Sequence, residues 1–218
     1  DGIRDLVRSR WLGDVYKRQI KMCIVRGTHT LYPKIDLREW MPPVYNQENL
    51  GSCTANALAA LYEFYEIKQK EDCEFPPSRL WVYYWERVFE GTVNEDSGAI
   101  VATGIKVIKS MGVCPERVPE VNPHKITSDV CWPYDVSKFT NHPPVKSVFF
   151  ARKHKAINAS RIVQSLTQMK QQLQDGHPIV FGFMVYESFE GADVAKDGLM
   201  HMPDTNKENL LGGHCVLI

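Results

Sequence analysis

One of the six thiols is placed where thiol chemistry is easiest. Cys53 lies in Asn46-Gln47-Glu48-Asn49-Leu50-Gly51-Ser52-Cys53-Thr54-Ala55-Asn56-Ala57, directly before a long apolar run with helical spacing. A free thiol is mostly protonated at neutral pH; a helix N-terminus or a neighbouring imidazolium favours the thiolate. The position supplies the first of these. Gly51 permits close backbone approach, and Ser52 suits an N-cap. The N–H of Cys53 would then point outward to an oxyanion, and the side-chain amide of Gln47 could be the second donor. The competing reading makes Cys53 a small buried residue at a helix start and puts Gln47 on a loop surface.

The elements around this thiol follow from periodicity. Residues 31 to 50 are extended and Pro-containing. Residues 53 to about 70 read as a helix with Ala55, Leu58, Ala59, Tyr62 and Tyr65 on one face, widened by Leu61 and Phe64, which predicts a central, buried helix. A second helix starts near Ser78 after Pro76-Pro77 and stops near Gly91. A third carries Val101, Ile105 and Ile108 and ends at Gly112. Residues 113 to 147, with six prolines, read as a loop and the boundary between two parts. Ser160 opens a fourth helix with Ile162, Leu166, Met169 and Leu173 on one stripe, ending at Gly176. Asn158-Ala159-Ser160 also matches a glycosylation sequon, but the helix start favours an N-cap role for Ser160. The period then changes to that of strands, over 178–185 and again over 215–218. Helices first and strands later argue for an α+β fold.

The whole-chain properties exclude several classes. Twenty-six basic and 26 acidic residues balance, so no global field points to nucleic acid. No apolar run is long enough to span a bilayer. A composition 44% hydrophobic and 24% charged suits an ordinary packed core. Residues 1–19 contain Asp14-Val15-Tyr16-Lys17-Arg18-Gln19, which resembles a translated sequencing adapter, so they are set apart from the fold. The remaining chain divides into a helical part, 20–135, and a β-rich part, 136–218. Cys23, Cys53, Cys73, Cys114, Cys131 and Cys215 are too few for a disulfide scaffold, although Cys114 and Cys131 flank a Pro-rich loop and could pair. A structural or metal-binding role for Cys114, Cys131 and His124 fits no standard zinc spacing.

The run around Cys53 resembles the papain-like cysteine peptidases, the family that includes the cathepsins. Gln47, Gly51, Ser52 and Cys53 match its nucleophile motif position by position. Asp36-Leu37-Arg38-Glu39-Trp40, Gly112-Val113 and Trp132-Pro133-Tyr134 resemble further landmarks. Gly212-Gly213-His214-Cys215-Val216-Leu217-Ile218 resembles the segment that carries the catalytic histidine into a strand. The likeness spans roughly residues 33–218. Leu50 replaces a usual cysteine and Thr54 a usual aromatic residue, which marks a divergent, microbial or viral-like branch.

The resemblance implies a papain-like two-part fold with a helical part bearing the nucleophile and a β-barrel-like part bearing the base. It implies Cys53, His214 and Gln47 as catalytic residues. Gly98 and Ala99 resemble the pair that binds substrate backbone; Gly51, Ser52 and Gly213 complete the expected substrate contacts. The family's histidine follows the cysteine by about 130–150 residues. His201, at 148, fits that spacing better than His214, at 161, yet the glycine pair and the apolar strand favour His214. The orienting Asn of the family would lie beyond Ile218, so the 218 residues are expected to be a fragment. The expected activity is peptide hydrolysis by a monomer that needs no metal or organic cofactor. The alternative is a catalytically silent papain-fold binding or adhesion module.

Overall fold

The computed structural model describes residues 30–69, 75–122 and 125–218. Among the described residues, eight α-helices and β-strands carry the fold: α1 (Cys53–Gln69), α2 (Arg79–Glu90), α3 (Val101–Ser110), α4 (Val145–Ala151), α5 (Leu166–Gln174), β1 (Val180–Tyr186), α6 (Ala192–Asp197) and β2 (Leu210–Leu217). The fold class is α+β. Helix α1 is buried nearly all round, from Thr54 to Glu66, as a helix apolar over most of its girth must be. It packs against α2, α3, β1 and β2. Ser78 caps α2 by accepting from the Trp81 N–H at 3.1 Å, and Gly91 ends it in the left-handed conformation at φ 77°.

The core continues through the Pro-rich stretch. Val113, Cys114, Ile126, Cys131 and Trp132 are buried in the same cluster as Leu58, Phe64 and Trp81. The indole of Trp81 donates to the Gly112 carbonyl at 2.8 Å. Strands β1 and β2 pair antiparallel, with Phe183 opposite His214 and Gly182 opposite Cys215. Val180 and Leu217 pack on the helical core, so the pair is seated on it directly.

Three expectations need correction. The fourth helix does not begin at Ser160. It begins at Leu166, with Ser165 at the N-cap position, and no residue of α5 is buried. Ala156 instead donates to the Ile108 carbonyl at 3.1 Å, and the β-branched Ile157, Ile162 and Val163 that follow favour extended chain. Ser160 is therefore no helix cap. The loop expected over 113–147 ends earlier, because α4 starts at Val145 after Pro144, whose φ of −55° already suits a helix start. The last strand starts at Leu210, not at Cys215: Gly212 and Gly213 pair with Val185 and Met184, so the partner strand overrides their weak strand preference.

Candidate active site

Cys53 is the first residue of α1 and is half-buried. Its N–H and that of Thr54 belong to the helix's unsatisfied first turn, beside the sulfur. The Cys215 N–H of β2 is near enough to favour the thiolate. Burial nevertheless pushes the thiol upward; those three N–H groups work against it, and the charge of Glu86 adds to it. His214 stands beside Cys215 in the chain. Its ring packs on Phe183 and Phe189, with centroids 5.9 and 6.3 Å apart. His201 lies exposed in the segment between α6 and β2.

Gln47 sits at the start of a tight turn. Its side-chain amide donates to the Leu50 carbonyl at 3.1 Å, and its own carbonyl accepts from the Leu50 N–H at 3.4 Å. One amide N–H is thus used and a second is available. Glu48 holds φ 55°, a left-handed conformation, and its N–H donates to the Asn46 side chain at 2.9 Å. Gln47 and His214 line one cleft of about 750 Å³ with Tyr45, Asn56 and Cys215.

Gly51 and Gly98 come together. The Gly51 N–H donates to both carboxylate oxygens of Asp96, at 2.9 and 3.1 Å. Asp96 also accepts from the Tyr83 hydroxyl, which in turn accepts from the Gly98 N–H at 3.1 Å. A side chain at Gly51 would meet Asp96 Oδ1 at 3.0 Å and the Gly98 nitrogen at 3.4 Å, so the close approach favours glycine. Gly98 takes φ 70°, and Ala99 packs on the core. Buried Arg87 fixes this loop through the Val93 carbonyl at 2.7 Å and that of Glu95 at 3.1 Å. Gly213 lies elsewhere, opposite Met184 in the sheet, with open space around its Cα.

Several residues that shape the site carry no role in the sequence reading. Buried Arg79 and Glu116 and half-buried Tyr134 cluster behind the Gln47 turn; Glu86 lies under Thr54. The available signal is charge placed in apolar context, as at Glu86-Arg87 between Leu80-Trp81-Val82-Tyr83-Tyr84-Trp85 and Val88-Phe89. Cys114 and Cys131 are free thiols, not a disulfide, and both are buried. His124, Cys23 and Cys73 lie outside the described residues, and no three-residue metal-ligand cluster occurs among those described.

A thiol on a buried helix start, facing an antiparallel strand pair, defines a two-part α+β thiol fold. No protein-family model matches the chain. An uncharacterised peptidase C1-like protein of Acanthamoeba polyphaga mimivirus is 40% identical over 205 residues, covering 90% of this chain and 61% of that protein. The chain therefore spans about three fifths of the length of this curated relative. Among solved structures, xylellain, a cysteine protease from Xylella fastidiosa, matches at 35% identity with a TM-score of 0.66, over 92% of this chain and 78% of its own. A procathepsin B from Trypanosoma congolense (16% identity, TM-score 0.59, 93% and 70% covered) and a digestive procathepsin L of Tenebrio molitor (13%, 0.55, 96% and 63%) share the fold. The chain belongs to the papain-like cysteine peptidase family. Among the described residues, no helix is long and apolar enough to cross a membrane.

Proposed function

We propose that this chain carries the nucleophile half and the base of a cysteine-type peptidase. The Cys53 thiolate attacks the scissile carbonyl carbon, forming a C–S bond. The oxyanion rests on the Cys53 N–H and the Gln47 amide. His214, having taken the thiol proton, passes it to the leaving amine as the C–N bond breaks. Water then hydrolyses the acyl thioester and restores the thiol. Gly98 and Ala99 would bind substrate backbone beside Gly51 and Ser52, and Gly213 would border it from the strand that carries His214. The substrate is a peptide or protein, and the cleft lies between the helical and β-rich parts.

The observation that carries this reading is geometric: Cys53 is the first residue of α1, α1 packs on the strand that bears His214, and Gln47 and His214 line one cleft. The test is turnover of an activated peptide ester with the acyl thioester trapped and weighed. The account expects an adduct on Cys53 that Cys53→Ser abolishes. Peptide binding without turnover or adduct would favour the silent binding module.

A further inference from the structure

We infer that Tyr134, held by the Arg79–Glu116 pair, is the positioning residue that sets the Gln47–Cys53 turn for oxyanion binding. The inference rests on the acyl-transfer reading and adds the machinery that aims its second donor.

A directed chain of hydrogen bonds runs through one partly buried cluster. The Tyr134 hydroxyl donates to the Gln47 carbonyl at 2.8 Å. With its proton committed there, the same oxygen accepts from the Ser52 hydroxyl at 2.6 Å. Ser52 Oγ in turn accepts from Asn56 Nδ2 at 3.0 Å. The Asn56 side-chain oxygen accepts from Arg79 Nη1 at 3.1 Å, and Nη1 also donates to the Asn46 carbonyl at 2.8 Å. Arg79 is locked by Glu116 through Nε at 3.0 Å and Nη2 at 2.8 Å. Its guanidinium stacks between the rings of Tyr134 and Tyr45, 3.8 and 4.6 Å from their centroids. Both ends of the oxyanion turn are thus gripped: the carbonyls of Asn46 and Gln47 at one end, Ser52 beside the nucleophile at the other.

This exceeds what stability alone would ask of the cluster. A buried ion pair is at best break-even against apolar packing. Here its polar groups end on backbone atoms flanking the proposed donor. A misplacement on the order of 1 Å at such a donor can cost about 100-fold in rate.

The test separates acyl transfer, which uses the oxyanion site, from alkylation by chloroacetamide, which forms no oxyanion. Tyr134→Phe keeps the ring over Arg79 and removes only the hydroxyl. The expected result is acylation by a peptide ester slowed about 10- to 100-fold with alkylation of Cys53 changed less than about twofold. Ser52→Ala, which cuts the chain at its other end, should give the same split should Tyr134→Phe fold poorly. Gln47→Ala serves as the reference. Selective loss in Gln47→Ala with none in Tyr134→Phe and Ser52→Ala overturns the positioning role and leaves the peptidase reading intact. No selective loss in Gln47→Ala removes the oxyanion reading, and this inference with it.

Discussion

The hydroxyl of Thr54 donates to Oε2 of Glu86 at 2.9 Å, tying the residue after Cys53 to a carboxyl with no exposed surface. Among the described residues the second oxygen, Oε1, has no hydrogen-bond partner, and Gly104 leaves it room: a side chain there would approach it to 2.2 Å. Burial raises the carboxyl to about 8; the Thr54 bond opposes the rise, Glu90 adds to it and Arg87 on the same helix opposes it. Cys53 from α1 and Cys215 from β2 share its field.

The sign of the resulting pH dependence is fixed by linkage. Glu86 stays protonated in the native state up to about pH 8, whereas the unfolded chain loses that proton near its ordinary 4.5. The native state binds the extra proton between those values, so stability falls as pH rises through that window and levels off above it. The full difference is on the order of 5 kcal/mol. Urea unfolding from pH 5 to 9 should show this decline, and Glu86→Gln should flatten it. An unchanged slope in Glu86→Gln would refute the assignment.

Gly112→Ala should be among the most damaging single-atom additions. Gly112 holds φ 77°, and its new side chain would lie 1.9 Å from the Ala151 carbonyl oxygen and 2.7 Å from that of His154. Both are backbone atoms, so nothing flexible can yield. A loss of about 3 kcal/mol or more is expected in denaturant titration. A loss under about 1 kcal/mol would contradict this packing.

Two of the other described thiols, Cys114 and Cys215, should be inert in the native state. Cys215 is pushed up to about 12 by burial, with Cys53 and Glu86 adding to it. Burial also raises Cys114 well above the ordinary value, and the neighbouring Cys131 adds to it. At pH 7.5 the thiolate of Cys215 is roughly one part in 10,000 or less. Peptide mapping after brief iodoacetamide treatment should find both unmodified until urea is added. Native labelling of Cys114 or Cys215 at the rate of the unfolded chain would contradict their burial.

Local signals in the sequence were read well; distant pairings were not. Ser78 before an apolar run and Gly91 after it marked α2 from both ends, and the apolar girth of α1 marked it as central. The glycine pair at 212–213 hid the start of β2, because its strand character comes from Met184 and Val185 across the ladder. Ser160 looked like a cap, but the chain before it is tied to Ile108 through Ala156, 48 residues apart in sequence, and α5 starts only at Leu166. Cys53 and Gln47 announced themselves by spacing. The cluster behind them did not, since Arg79 finds Glu116 and Tyr134 finds Gln47 only through the fold.

The most direct measurement is the pH dependence of Cys53 alkylation. Burial raises the thiol, so without a base the rate should climb only at pH above the ordinary thiol range. A His214 imidazolium engaged with the sulfur adds thiolate in the neutral range. The account predicts stoichiometric labelling near pH 7 that Cys53→Ser removes and that His214→Ala slows far more than His201→Ala. Equal slowing, the reverse ranking, or a neutral-pH rate untouched by His214→Ala would contradict it.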